Sequence, residues 1–217
     1  MIDGNFWIDK EIEVHATIFD AAREEVISQN CGLKIYGNYT RAKNQKSFRL
    51  IAREQYEGLN EFFYPFLNKL VSDESNAVID NYQRLSLHNS GDDNGYGFIR
   101  TELVGELARQ SGFPDVFVAD SAVVFVNGKY QGVYWMSNSF DGRYFQEKYG
   151  DYDGEFYVCE GTLSEVWTDS VESEEELAVH NDYNAFVKRV VESDLEEPQN
   201  WDYVNEKLDI ENFAQYM

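Results

Sequence analysis

CGLKIYGNYTRAKNQKSFRLIAR, residues 31–53, decides how this chain is read, because its charge pattern contradicts the rest of the protein. The full sequence carries 18 Lys plus Arg against 40 Asp plus Glu. From Val26 to Arg53, however, there is no carboxylate and there are six cations: Lys34, Arg41, Lys43, Lys46, Arg49 and Arg53. Alternation in KSFRLIAR puts Lys46 on one strand face with Phe48, Leu50 and Ala52, and Ser47, Arg49, Ile51 and Arg53 on the other. A lysine in such a half-dry position is costly unless an anion or carboxylate meets its ammonium, as in a phosphate-gripping lysine. The alternative reading lets Lys46 run along the sheet to water and leaves Arg49 and Arg53 solvated.

Working outward, EIEVHATIF (residues 11–19) alternates Ile12, Val14, Ala16 and Ile18 against a polar face, the pattern of a half-buried strand. The basic stretch supplies two more strands joined through GNYTRAKN, so an antiparallel sheet is expected. Residues 55–71 place Leu59, Phe62, Phe63, Phe66, Leu67 and Leu70 at helical spacing around a Pro65 that must interrupt any helix, and this cluster reads as core. In RLSLHNSGDDNGYGFIR (84–100) a short strand runs into a Gly, Asn and Asp-rich loop that opens a helix over Phe98–Gln110. Its apolar stripe is Ile99, Leu103, Val104, Leu107 and Ala108, with Arg100 at the stripe's border and expected to reach inward.

Downstream, Asn127-Gly128 between two apolar runs predicts a tight hairpin, and Phe140, Tyr144, Phe145 and Tyr149 are spaced as on a short helix. Asp151, Asp153 and Glu155 surround a glycine like the first half of a calcium loop, but without its later glutamate; a turn into a strand EFYVC is expected. DSVESEEEL (169–177) reads as a solvated loop or first helical turn, and helical patterns follow over 182–194, 201–208 and 209–217.

With 217 residues, 43% of them apolar and 16% aromatic, the chain is long enough for a real core. A net charge of −22 argues against nucleic-acid or anionic-membrane partners. No stretch reaches the roughly 18 apolar residues of a membrane span, and MIDGNFW lacks the features of a signal peptide. Cys31 and Cys159 have no CxxC spacing and are expected as free thiols; His15, His88 and His180 have no partner at metal-ligand spacing.

Three motifs carry a resemblance. GNYTR, a spacer and QKSFRL resemble the signature of the CotH kinase-like family of spore-coat and secreted proteins, roughly R-G-N-S-[ST]-R-x-x-P-K-K-S-[FY]-R-L. Gly37, Asn38, Thr40, Arg41, Lys46, Ser47 and Phe48 match, while Tyr36, Tyr39, Asn44 and Gln45 depart. Leu87, Asn89, Gly91, Asp93 and Arg100 match the family's L-R-N-G-G-N-D-x(6)-R-D, with Thr101 in place of the last acid. Val126, Asn127, Gly128, Tyr130, Gly132, Val133 and Tyr134 match its VYINGEYWGVYNLxE hairpin, with Asn138 where the glutamate stands.

The resemblance implies an atypical protein kinase of α+β class. An antiparallel-sheet small lobe with flanking helices would occupy residues 1–160, and a linker with the first helices of a helical lobe 161–217. It implies ATP and Mg as cofactors, with Arg41, Lys46, Arg100, Asp93 and Asn138 as nucleotide-binding residues. Protein Ser/Thr on a secreted or coat protein would be the substrate, at an extracellular, spore or cell-surface location. In the family the two essential aspartates follow the helix that DIENFAQYM resembles, so the catalytic and metal-binding acids are expected beyond Met217 and residues 1–217 alone are not expected to transfer phosphate. A reading from another class is a non-catalytic secreted module binding carbohydrate or protein through some of its 15 Tyr and four Trp.

Overall fold

Alternating apolar residues build the sheet that dominates the protein. We describe residues 5–56, 58–150 and 174–217 from a computed structural model. The chain divides into two compact units, Met1–Gly154 and Glu155–Met217. The expected turn and strand over 151–159, Cys159 and residues 169–173 of the acidic run lie outside the described residues.

In the first unit the strands are β1 (Glu11–Phe19), β2 (Glu25–Ile35), β3 (Phe48–Ile51), β4 (Phe62–Phe63), β5 (Asn81–Tyr82), β6 (Arg84–His88), β7 (Ala119–Val126) and β8 (Lys129–Ser137). Six of them form an antiparallel sheet in the order β1-β2-β3-β6-β8-β7, and β4 pairs with β5 beside it. Helix α1 (Arg100–Gln110) is the connection from β6 to β7, and α2 (Gly142–Tyr149) follows β8. Asn127 and Gly128 both take positive φ, 49° and 75°, as the expected two-residue hairpin turn requires.

Register sorts the side chains onto two faces. Leu33, Leu50 and Leu85 are directly paired, as are Phe48, Leu87 and Met136, and this face joins Phe62, Phe66, Leu67, Leu70 and Tyr134 in the core. The 55–71 segment therefore does contribute core, but not as a helix: it supplies β4 and irregular turns, and Leu59 and Phe63 are exposed. Pro65 cannot donate a helical hydrogen bond, and the β4–β5 pairing takes over the backbone on its N-terminal side.

On the opposite face, Glu11, Lys34, Arg49, Ser86 and Ser137 stand in one cross-strand row. Helix α1 approaches this polar face: Trp135 Nε1 donates to the Phe98 carbonyl at 2.6 Å, and Trp135 is paired with His88. The expected orientation of α1 is overturned. Ile99, Leu103, Val104 and Leu107 are between 51% and 61% exposed, whereas Gly105 is the buried residue of the helix and Ala108 packs on the core. A Cβ built on Gly105 would lie 2.4 Å from the Phe117 carbonyl oxygen, so the small residues, not the large apolar ones, allow the close approach. Gly105→Ala is accordingly expected to lower stability by about 1–2 kcal/mol despite alanine's better helix propensity, read as a lower urea midpoint.

The second unit holds α3 (Glu174–Glu192), α4 (Pro198–Lys207) and α5 (Ile210–Tyr216). Proline opens α4, the Asp209 carboxylate accepts from Asn212 N–H to cap α5, and the Arg189 guanidinium lies 3.7 Å from the centre of the Tyr203 ring between α3 and α4. No described helix is long and apolar enough to cross a membrane.

Candidate functional site

The loops that follow β2 and β6 leave the sheet at the same end, because Phe48 at the start of β3 pairs with Leu87 near the end of β6. They are laced together by amides. Asn89, fully buried, donates from Nδ2 to the Gln45 carbonyl at 2.6 Å, and its backbone N–H donates to Ser47 Oγ at 3.1 Å. Gln45 accepts at Oε1 from Asn94 Nδ2 and donates from Nε2 to the Val133 carbonyl at 2.7 Å. Two loops joined by a bond between residues 44 positions apart in sequence thus become one rim, tied in turn to the β7–β8 hairpin.

Four of the five residues expected at a nucleotide site gather on this rim. Asp93 is buried and accepts from the backbone N–H groups of Gly97, Ile99 and Arg100, which ends its loop and starts α1. Burial pushes its carboxyl up, but those donors and the Arg100 guanidinium at 3.3 Å outweigh it and hold the pKa below the usual aspartate value. Arg100 does not reach inward as expected; its side chain is 72% exposed and meets Asp93 from outside. Lys46 precedes β3, so strand alternation does not govern it. Its ammonium donates to the carbonyls of Arg41 and Lys43 and lies 4.1 Å from the centre of the Phe6 ring. Arg41, only 14% exposed, donates from Nε to the Gly37 carbonyl and lies 3.2 Å from Asp9. The fifth residue, Asn138, follows β8 at the other end of the sheet, where its fully buried amide accepts from Val118 N–H at 2.9 Å and faces the Val116 carbonyl at 3.4 Å.

Under the rim, on the polar face, lies a group that periodicity did not single out. Arg49 is placed 4.7 Å over the Tyr36 ring, and burial pushes the Tyr36 hydroxyl up to about 12 even though Arg49 and hydrogen bonds with Ser86 and Ser47 pull it down. Glu102 projects from α1 toward the sheet with 12% of its side chain exposed; Oε1 is 4.0 Å from His88 Nδ1, and Oε2 is buried without a hydrogen-bond partner. Burial, with Asp93 nearby, raises the Glu102 pKa, and burial lowers that of His88, whose Nδ1 accepts from Ser90 N–H. Because the folded state resists charging His88, stability carried by the neutral ring is present above the ordinary histidine pKa near 6.5 and is lost as pH falls below it. The only hint of this group in the sequence is that Glu102 shares a helix face with Gly105 and Ala108, which becomes meaningful once the small face is known to be the buried one.

Among the described residues no three carboxylate, imidazole or thiol groups converge on a point that a cation could take. The residues present do fit a polyanion: several cations border one backbone-rich rim, and Arg49 lies over the buried Tyr36 ring on the polar face.

The family model described as "CotH kinase protein" matches residues 33–217. No curated protein matches the sequence.

Proposed function

This chain belongs to the CotH kinase family, and from that premise we propose that its sheet unit holds ATP by the phosphates at the rim formed by residues 37–47 and 89–95. The observation that carries the reading is the Gln45–Asn89 lacing, which sets two glycine-containing loops over a face bearing Arg49. Phosphoryl transfer requires cations over the phosphates, carboxylates for Mg²⁺ and an acid to orient the acceptor. Arg49 and Arg41 supply the first; Lys46, bonded to two carbonyls, positions the turn. Glu102 stands where α1 faces the strands, in keeping with the helix acid that in protein kinases pairs with a strand cation. Magnesium would arrive on the phosphates, and no described carboxylate cluster is assigned to it. On this reading the described residues contribute the phosphate-holding half of a kinase-related site and not its catalytic carboxylates.

Thermal shift and calorimetric titration with Mg·ATP test this. The wild type is expected to gain several degrees at saturating nucleotide. Arg49→Ala is expected to weaken binding about ten-fold or more by removing a charged hydrogen-bonding partner, and Lys46→Ala by less through loosening of the turn. An unchanged affinity in Arg49→Ala, or stabilisation by an oligosaccharide and not by Mg·ATP, would overturn the proposal.

A further inference from the structure

The segment ahead of β1 lies across the cations of the rim. A short 3-10 turn at Asn5–Trp7 sets Phe6 against the Lys46 ammonium. Two residues further on, the Asp9 carboxylate places one oxygen 2.8 Å from Lys34 Nζ and the other 3.2 Å from the Arg41 guanidinium. Burial raises the Asp9 pKa, yet the hydrogen bonds and charges of Lys34 and Arg41 win and hold it below the ordinary aspartate value. Lys34 and Arg41 are largely covered, at 29% and 14% exposure, whereas Asp9 is 51% exposed. A half-exposed carboxylate on two covered cations is the cheap partner to displace, since exposed ion pairs are individually weak. Its two oxygens are disposed as two non-bridging oxygens of a phosphate would be. Residues 5–9 also lie ahead of the 33–217 match, outside what the family model describes.

We propose that residues 5–9 form an intramolecular strap that occupies the Lys34–Arg41 anion site and competes with nucleotide phosphate for it. This rests on the rim being the phosphate site. The strap would set an affinity threshold: phosphate binding requires Asp9 to release both cations, and Phe6 then loses its place against Lys46.

Calorimetric titration of the full chain with Mg·ATP and, separately, with inorganic tripolyphosphate tests the strap. Asp9→Asn is expected to bind both about five-fold tighter than the wild type, the order expected from removing two weak ion pairs. Phe6→Ala, which loosens the strap without touching its charge, is expected to move in the same direction by a smaller factor. In the Asp9→Asn/Arg41→Ala double variant the gain from Asp9→Asn is expected to vanish, because the site being freed is gone. If the wild type binds Mg·ATP but Asp9→Asn and Phe6→Ala bind it equally or more weakly, the strap is refuted and the rim stands. If neither the wild type nor any strap variant binds either ligand, the rim reading fails and the strap falls with it.

Discussion

Asn89→Ala is expected to lower the unfolding free energy by about 3 kcal/mol and to abolish the Mg·ATP-induced shift. Asn89 is fully buried and works in four directions: Nδ2 to the Gln45 carbonyl at 2.6 Å, Oδ1 from Gly91 N–H at 2.9 Å, its own N–H to Ser47 Oγ at 3.1 Å, and its own carbonyl from Asn94 Nδ2 at 2.8 Å. Alanine keeps only the two backbone bonds. The Gln45 carbonyl and the Gly91 N–H then lose partners in a part-buried site, at about 1–3 kcal/mol for each group left unpaired. The gap left by the amide adds to this. Ser90 has φ of 64°, a left-handed setting that a residue with a side chain holds only while neighbours enforce it, and Gly91 beside it has φ of 53°, which glycine adopts without strain. Losing the Gly91 bond should therefore change the loop's shape as well as its stability. Urea unfolding reads the first effect as a shift in midpoint at unchanged slope, and the ATP titration reads the second. Ser47→Ala, which removes one neutral acceptor, serves as the smaller companion. If Asn89→Ala costs under about 1 kcal/mol, the two loops are not held together as described.

Why the rim was only partly legible beforehand follows from which interactions are local. The Asn127-Gly128 hairpin and the alternation of β1 depend on neighbours in sequence, and both were readable. The motif residues of the two loops were recognisable, but their partners were not. Gln45 departs from the family pattern, and its role emerges only when Asn89, Asn94 and Val133 arrive from distant segments. Alternation assigns Lys46 to a strand face, yet β3 starts at Phe48, so the period does not extend to it. Alternation puts Arg49 on the face opposite Phe48 and Leu50, where the structure has it, but leaves open whether it is solvated, because no rule of spacing says that a helix 50 residues later approaches that face. In α1 the apolar stripe is not the buried side. Gly105 and Ala108 let the helix come closer than leucines would, which leaves Leu103, Val104 and Leu107 outward. The basic island was likewise real, but Asp9, Glu11 and Asp92, all outside it, meet Lys34, Arg41, Arg53 and Lys43.

Asn138→Asp is expected to cost about 4 kcal/mol at pH 7, with most of that loss recovered on acidification. The family pattern has an acid at this position, so a restored carboxylate would strengthen nucleotide binding if the residue serves the nucleotide. The structure argues for another outcome. The side-chain amide accepts from Val118 N–H and turns its Nδ2 toward the Val116 carbonyl, at the end of the sheet away from the rim. A carboxylate can replace the acceptor, but its second oxygen would face the Val116 carbonyl, lone pair to lone pair, in a fully buried place. The folded state therefore resists ionising the new aspartate, and its pKa rises above the unfolded value of about 3.9. With the folded pKa raised, the native state binds more protons between the two values, so stability returns as pH falls through that window. The protonated acid has a hydroxyl that can take over the donor role to Val116, which is why the recovery should be nearly complete. Unfolding followed from pH 7 to pH 4, as the difference between variant and wild type, measures this directly. Mg·ATP affinity of the folded variant should match the wild type. A flat pH difference, or a gain in nucleotide affinity, would move Asn138 from the scaffold to the site.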